Sequence, residues 1–143
     1  MTYRCVTRGP LDVRHGGVSR RVWEVAEASL EGPNIRASLA APGSDWMLVG
    51  DDGYWRPDVR VMFSTDDGAG VGLTYRGLVE QSDAFIAAAE ADRETAWDDQ
   101  YMRMALTFST EAERYAWLTQ SLFVARGRIL GTGRVEYEVF RVT

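Results

Sequence analysis

The chain has 143 residues, of which 45% are hydrophobic and 26% are charged, and its formal net charge is −5. These values predict one soluble globular domain over residues 1–143, long enough to bury its own core. All 16 basic residues are arginine, which excludes lysine-dependent chemistry such as Schiff-base formation. The acidic balance and the lack of a basic cluster argue against nucleic acid and against an anionic membrane surface as partners.

Cysteine and histidine each occur once, as Cys5 and His15. This scarcity disfavours a zinc or iron centre and rules out a framework of intrachain disulfides. We therefore expect neither a metal nor a cofactor. The first residues contain no apolar run of the length that a signal peptide or a membrane span needs, so the expected location is the cytoplasm.

Turn-forming sequences divide the chain into short segments rich in valine, tryptophan, tyrosine and phenylalanine. Regular spacing of such segments is typical of an all-β barrel or sandwich. The predicted strands are Tyr3–Thr7, Val18–Ala26, Asn34–Ala40, Asp45–Val49, Tyr54–Ser64, Gly70–Glu80, Gln100–Phe108, Leu122–Leu130 and Arg134–Val142.

Two segments interrupt the strand pattern. Ser82–Arg93 is rich in alanine and begins with a serine that can cap a helix, followed by an acidic residue. Thr110–Gln120 places Thr110 three residues before Glu113, which is the spacing of a capping box. Both segments predict short helices.

Consecutive antiparallel strands joined by tight turns favour an up-and-down barrel, because closure removes the exposed edges of a sheet. A barrel of about eight strands is wide enough to hold one small ligand. The expected fold is therefore all-β with one or two short helices, and the later helix is suited to plug one mouth of the barrel.

A charged pair lies within residues 45–68, DWMLVGDDGYWRPDVRVMFSTDDG. Asp58 and Arg60 share one face of a predicted strand, since residues two apart on a strand point the same way. The opposite face carries Val59, Val61 and Phe63. The charged face is either the solvated outside, where an ion pair contributes little, or the lumen, where both groups would orient a polar part of a ligand.

Two further carboxylates are candidates for chemistry. Glu27 continues the alternation of Trp23 and Val25. On an inward face it would be an acid in an apolar pocket, with a raised pKa that suits acid–base catalysis, whereas at a strand end it would simply be exposed. Asp45 follows a Gly-Ser sequence, so its carboxylate can cap a turn. Alternatively, Asp45 and its neighbour Trp46 lie on a strand and point to opposite faces, so that one of them faces inward.

Aromatic residues are frequent, with five tryptophans, six tyrosines and five phenylalanines. This content suits either a packed core or a cavity for flat ligands. On the second interpretation, a tyrosine hydroxyl would stabilise developing oxyanion charge together with an arginine. The further candidates for substrate contact are Tyr75, Tyr101, Arg103, Trp117 and Phe123.

Six short motifs follow one another in a defined order: EGP (31–33), GSDWMLV (43–49), RPDVRVMFSTDDGAGV (56–71), TYRG (74–77), RYAWLTQSLFVARGR (114–128) and VEYEVFRV (135–142). Together they resemble the DUF3237 family of small bacterial and fungal proteins. The resemblance implies a single-domain, lipocalin-like antiparallel barrel. It also implies lumenal positions for Asp45, Trp46, Asp58, Arg60 and Asp66.

Two features depart from the family pattern. Glu27 stands where a small residue is expected, which makes it a candidate for a specialised acid or base. The segment 82–99 is longer than usual and is suited to reshape the mouth of the barrel.

Two main functions fit these features. The first is a cofactor-independent enzyme of isomerase, lyase or cyclase type that binds a hydrophobic, aromatic or polyketide-like metabolite in the lumen, with Asp58, Arg60 and Glu27 as catalytic groups. The second is a barrel that binds a small ligand without chemistry. They differ in whether a lumenal carboxylate is free or locked in a salt bridge. A structural subunit would instead have a filled lumen. The expected assembly is a homodimer, because small barrels often associate.

Overall fold

The computed structural model describes residues 1–143. It contains nine strands, two short α-helices and one 3₁₀ turn at Glu113–Tyr115. The helices are α1 (Asp83–Glu90) and α2 (Ala116–Thr119). The strands are β1 (Thr2–His15), β2 (Val18–Gly32), β3 (Ile35–Val49), β4 (Tyr54–Arg56), β5 (Asp58–Thr65), β6 (Gly70–Glu80), β7 (Met102–Ser109), β8 (Phe123–Gly131) and β9 (Arg134–Arg141).

Eight of the strands close into one antiparallel ring in the order β1-β2-β3-β5-β6-β7-β8-β9, with β9 paired back onto β1. The predicted barrel of about eight strands is therefore confirmed. Strand β4 is a short extension between the ends of β3 and β6. Pro57 separates it from β5, because proline has no N–H to donate to the sheet.

The strand bounds differ from the prediction where turn-forming residues lie inside a strand. The segments 34–40 and 45–49, predicted as separate strands, belong to the single strand β3. The sequence Ala41-Pro42-Gly43 between them forms irregular pairing with β5 instead of a turn. Strands β1 and β2 also extend farther than predicted and form a long hairpin with an exposed tip.

Side chains alternate between the interior and the outside of the barrel. On β5, Val59, Val61 and Phe63 are buried, whereas Arg60 and Met62 are exposed. The apolar row turns inward because burial of apolar surface is the dominant favourable term in folding. Met62 shows that the outer side of β5 faces solvent, since it remains 51% exposed.

One end of the barrel is filled and closed. Phe108 and Phe123 pack edge-on inside it, with ring centroids 5.1 Å apart, and Leu118 of α2 is buried in the same core. The hydroxyl of Tyr115 donates a hydrogen bond of 2.8 Å to Asp67 in the β5–β6 turn. These contacts fasten the late helical segment to the barrel end, as the sequence predicted for a plug.

The expected cap of this late segment is wrong. The residue before the 3₁₀ turn is Ala112, which makes no side-chain capping hydrogen bond. The hydroxyl of Thr110 instead donates to the carbonyl of Gly70 and accepts from the N–H of Ala112. Thr110 therefore ties the end of β7 to β6 ahead of the helical segment.

Helix α1 covers the opposite end of the barrel. Ser82 caps it, as predicted, by accepting a hydrogen bond from the N–H of Phe85. After its last turn, Asp92 accepts hydrogen bonds from the N–H of Thr132 and from the side chain of Arg134. The C-terminal end of α1 is thus attached to the barrel wall. Neither helix of the chain is long and apolar enough to cross a membrane.

The segment between α1 and β7 completes the sheet beside β8. Strand β7 pairs with β8 only as far as Arg126, so the next residues of β8 are paired with β9 but have no strand on their other side. Thr95 fills part of this gap through hydrogen bonds of its backbone and hydroxyl with Ile129. The Gln100 amide donates to the carbonyl of Gly127. The segment 82–100 therefore covers both one end of the barrel and the open side of β8.

Candidate functional site

A cavity of about 740 Å³ occupies the half of the barrel beneath α1. This volume lies within the usual range of small-molecule sites. Phe85, Ile86 and Ala89 of α1 form part of its roof. Its inner wall is contributed by strands β1, β2, β3, β6 and β9 through Cys5, Trp23, Val25, Asp45, Tyr75 and Tyr137.

Asp45 reaches the cavity because β3 pairs it with two inward-facing positions. Its neighbours in the sheet are Trp23 on β2 and Val59 on β5. Asp45 is only 7% exposed. One carboxylate oxygen accepts a hydrogen bond of 3.2 Å from the backbone N–H of Asp58, and no arginine forms an ion pair with it.

The surroundings of Asp45 shift its titration toward neutral pH. Burial raises the pKa of Asp45 to about 7, the N–H of Asp58 acts in the opposite direction, and the negative charge of the Asp58 carboxylate adds to the rise. A carboxyl group that titrates near neutral pH can both accept and return a proton. Asp45 is therefore suited to acid–base chemistry.

Three tyrosines pack together at the floor of the cavity. Tyr3 stacks on Tyr137 with ring centroids 5.5 Å apart, and Tyr75 meets Tyr137 edge-on at 5.6 Å. Tyr75 and Tyr137 line the cavity, whereas Tyr3 lies behind them. Burial raises the pKa of all three hydroxyls well above the ordinary value, so they remain protonated hydrogen-bond donors at neutral pH.

Cys5 lines the same floor but is not suited to act as a nucleophile. Burial raises the pKa of its thiol to about 12. Since the thiolate is the reactive form, a thiol that stays protonated at neutral pH is inert. The chemistry available at the floor is therefore that of one carboxyl group and phenolic hydroxyls.

The mouth of the cavity carries charges of both signs. The guanidinium carbon of Arg21 lies 5.0 Å from the ring centroid of Trp55, and the same side chain forms an ion pair of 3.2 Å with Asp12. Asp51 and Glu90 also line the mouth. The one arginine of the lining is thus already paired, so the electrostatic field at the mouth does not favour a strongly anionic ligand.

The lumenal position that the resemblance implied for Asp58 and Arg60 is wrong. Arg60 is exposed on the outside of the barrel, and the carboxylate of Asp58 forms an outer ion pair of 3.0 Å with Arg76. Because Val59 and Val61 hold the inward positions of β5, the residues between them must point outward. Asp58 still reaches the site through its backbone N–H.

Glu27 also lies on the outside. Strand β2 pairs Val25 with Thr7 and Glu27 with Val6, so Ala26 is an extra residue without a partner on β1. A one-residue bulge of this kind reverses the alternation of the strand. Val25 is consequently buried and Glu27 exposed, which removes the expected acid in an apolar pocket.

Three residues predicted to contact substrate lie on the outer surface. Trp46 is 48% exposed, because its neighbour Asp45 takes the inward position on β3. The guanidinium of Arg103 lies over the exposed ring of Tyr101 at 5.0 Å. None of these three side chains lines the cavity.

Three further residues lie at the opposite, closed end. Trp117 and Phe123 pack against each other with ring centroids 6.1 Å apart, and Asp66 lies in the exposed β5–β6 turn. Of the predicted site residues, the structure brings Asp45 and Tyr75 to the cavity. It separates them from the rest of the predicted set.

Tyr137 and Trp23 were missed as parts of the site, whereas the segment 82–99 was expected to reshape a mouth of the barrel. A signal for Tyr137 exists in the sequence VEYEVFRV, where Val135, Tyr137 and Val139 alternate with charged residues and so mark an inward face. The sequence of α1 does not indicate which of the two barrel mouths the helix covers. No three side chains of His, Cys, Asp or Glu come together in a way that could hold a metal ion.

The chain matches the model of the family described as "Protein of unknown function (DUF3237)" over residues 1–142, and it belongs to this family. The motif series had indicated the same family. A UPF0311 protein from Clostridium acetobutylicum is 25% identical over 105 residues, a stretch that spans 73% of this chain and 66% of that relative.

Solved structures share the fold. A conserved protein of unknown function from Rhodopseudomonas palustris superposes with a TM-score of 0.89 at 22% identity, covering 99% of this chain and 93% of that chain. A beta-barrel like protein from Acinetobacter baumannii has a TM-score of 0.80 at 22% identity, with coverage of 99% and 92%. An enzyme from Penicillium herquei has a TM-score of 0.69 at 16% identity, with coverage of 99% and 91%. These likenesses establish the fold and not the activity.

Proposed function

We propose that this member of the DUF3237 family is a cofactor-independent enzyme that binds a hydrophobic, aromatic or polyketide-like molecule in the barrel and acts on it by proton transfer, as an isomerase, lyase or cyclase. The observation that carries the proposal is the position of Asp45. It is a buried carboxyl group that faces the cavity and has no basic partner. The Penicillium herquei neighbour, described as an enzyme, supports catalysis within this fold.

A buried carboxylate without a basic partner is unfavourable for stability. The residue loses hydration on burial and gains only one hydrogen bond, from the N–H of Asp58. An amide or an apolar side chain at the same position of β3 would lose less free energy on burial. Such perturbed groups cluster at functional sites, where the shift matches the pKa of a catalytic acid or base to the working pH.

The cavity also suits the substrate that we propose. Its walls are mostly apolar, and Trp23, Trp55 and Phe85 offer flat surfaces to an aromatic ligand. A bound apolar molecule would displace water from around Asp45 and so strengthen every electrostatic interaction in the site. Binding and catalysis would then depend on the same cavity beneath α1.

The second candidate is a barrel that binds a ligand without chemistry. The apolar walls favour it, because burial of apolar surface alone can hold a small molecule. In that case Asp45 would serve only to orient a polar group of the ligand. The two functions therefore predict different effects on turnover when Asp45 is replaced by a residue that cannot ionise.

Asp45→Asn separates the two functions, because asparagine can still accept the hydrogen bond from Asp58 but cannot transfer a proton. A panel of apolar aromatic ketones and phenols would be screened for binding by quenching of tryptophan fluorescence and for turnover by mass spectrometry. We expect Asp45→Asn to keep binding and to lose turnover by roughly a hundredfold or more. The matched control is Arg60→Ala, which alters only the outer surface.

Equal turnover by the wild type and by Asp45→Asn would overturn the proposed role of this carboxyl group. Saturable binding without turnover of any bound compound would favour the ligand-binding function. A normal Asp45→Asn enzyme together with an inactive Arg60→Ala variant would place the chemistry on the outer surface.

A further inference from the structure

Asp45 and Tyr75 face the cavity from positions in one transverse row of the barrel. Strand β5 pairs Val59 with Asp45 on one side and with Tyr75 on the other. Since neighbouring strands lie about 4.8 Å apart, the backbones of Asp45 and Tyr75 are separated by roughly 10 Å along the wall. A small molecule between their side chains can touch both.

Tyr137 brings a second phenol to the same place. Its ring lies edge-on to Tyr75 at 5.6 Å and stacks on Tyr3 at 5.5 Å. Packing on two sides fixes the direction of the Tyr137 ring, and Tyr137 and Tyr75 both line the cavity. The floor therefore presents two positioned phenolic groups beside one unpaired carboxyl group. Such an arrangement is suited to a reaction in which negative charge develops on an oxygen.

The charges of the cavity lining restrict the class of substrate that can bind. Arg21, the only basic residue of the lining, is paired with Asp12, while Asp51 and Glu90 add negative charge at the mouth. A carboxylate or phosphate on the substrate would be repelled at the mouth and would find no free cation inside. An uncharged molecule with a polar group that enters the floor fits better.

Building on the proposed function, we infer that the substrate is an uncharged, enolisable carbonyl compound whose carbonyl oxygen is bound by the hydroxyls of Tyr75 and Tyr137 while Asp45 moves a proton at the adjacent carbon. The inference rests on the proposed function, because it assigns the chemical class on which the same site acts.

The reaction step balances without any co-reactant. The Asp45 carboxylate takes a proton from the carbon next to the carbonyl group, the electron pair of that C–H bond forms a carbon–carbon double bond, and the carbonyl π pair moves to oxygen. The resulting enolate oxygen accepts hydrogen bonds from the two phenols. Asp45, now a carboxylic acid, returns the proton to the same carbon or to another, and the carbonyl group forms again.

A bound phenolate mimics the enolate that this step produces. The probe is 4-nitrophenol, whose phenolate is yellow and whose phenol is nearly colourless, and nitrobenzene is the neutral control of similar shape. We expect 4-nitrophenol to bind as the phenolate at a pH where it is mostly neutral in solution. Tyr75→Phe and Tyr137→Phe should each weaken phenolate binding roughly tenfold or more and leave nitrobenzene binding unchanged.

Tyr101→Phe is the matched control, because Tyr101 lies on the outer surface of the barrel and does not line the cavity. It should leave phenolate binding unchanged. If both probes bind and 4-nitrophenol stays neutral, or if all three tyrosine variants behave alike, the inferred substrate class is overturned while the proposed acid–base enzyme stands. If neither probe quenches tryptophan fluorescence in a saturable way, neither binds in the cavity. The proposed function is then overturned as well.

Discussion

The backbone N–H of Asp58 donates a hydrogen bond of 3.2 Å to the carboxylate of Asp45, from the strand next to it. The two residues have opposite places in the barrel: Asp45 faces the cavity, and the side chain of Asp58 forms an ion pair with Arg76 outside. One strand thus holds the inner carboxyl group with its backbone while its own charged side chain remains in solvent. This relationship fixes the position of the group on which the proposed chemistry depends.

Asp45→Asn is expected to change how stability depends on pH. Because the pKa of Asp45 is raised to about 7 in the folded state, the folded protein binds this proton more tightly than the unfolded chain, whose aspartates titrate near pH ~4. The wild type therefore loses stability as the pH rises from about 4 to about 7, by up to about 4 kcal/mol, and loses no more above that range.

Urea denaturation of both proteins at several pH values measures this effect. The free energy of unfolding of Asp45→Asn relative to the wild type should increase from pH ~4 to pH ~8. A difference that stays constant over this range would mean that Asp45 has an ordinary pKa.

Asp58→Asn is expected to lower the pKa of Asp45. The negative charge of Asp58 contributes to the raised pKa of Asp45, whereas the backbone N–H that stabilises the Asp45 carboxylate remains in the variant. The pH midpoint of any activity that requires ionised Asp45 should move to lower pH. Arg60→Ala, on the same outer face, serves as the control. An unchanged midpoint in Asp58→Asn would show that the outer charge does not act on the site.

Ala89→Trp is expected to block the cavity. Ala89 lies on the side of α1 that lines the cavity, so a large ring at this position would occupy the space of a ligand. Ala87 is exposed on the same helix, and Ala87→Trp introduces the same side chain into solvent. Binding of nitrobenzene, measured by quenching of tryptophan fluorescence, should be lost in Ala89→Trp and retained in Ala87→Trp. Equal binding by both variants would place the ligand elsewhere.

Glu136→Gln is expected to destabilise the barrel wall. Burial by itself raises the pKa of Glu136, but hydrogen bonds and charges from Arg128 and Arg4 outweigh this effect and leave the pKa below its usual range. The pairs measure 2.9 Å to Arg128 and 2.6 Å to Arg4, and the side chain of Glu136 is 8% exposed. The substitution should lower the free energy of unfolding by roughly 1–2 kcal/mol at neutral pH.

The sign of the pH effect follows from the lowered pKa. Stabilisation by Glu136 is present above the unfolded value of about 4.3 and is lost as the pH falls through the folded value, so the difference between wild type and Glu136→Gln should shrink in acid. Glu138→Gln removes a neighbouring pair with Arg126 that is much more exposed, and it should cost less than about 1 kcal/mol. Equal effects of the two substitutions in chemical denaturation would contradict the special role of Glu136.

The barrel could be predicted from the sequence because its signals are local. Turn sequences mark the ends of most strands, and the alternation of apolar and polar residues marks a sheet with one buried face. The exceptions have physical causes. Pro42 and Gly43 usually form a turn, but here they occupy an irregular part of β3 between two paired stretches.

The orientation of the site residues could not be predicted as reliably. Alternation shows that Asp58 and Arg60 share a face, but it does not show which face points inward, and the resemblance favoured the wrong one. For Glu27, the extra residue Ala26 reverses the alternation, and no sequence pattern marks this bulge. The inward direction of the Asp45 side chain follows from the pairing of β3 with β2 and β5. Both registers must be known before this direction can be predicted.

A ¹³C NMR titration of the side-chain carboxyl groups tests the central claim most directly. The signal of Asp45 is identified by its absence from Asp45→Asn, and its pH midpoint is read in the otherwise unmodified protein. The buried, unpaired position of Asp45 predicts a midpoint near pH 7. A midpoint near the ordinary value of about 4 would show that Asp45 is solvated or paired in solution, and it would contradict its proposed role as the acid and base of the cavity.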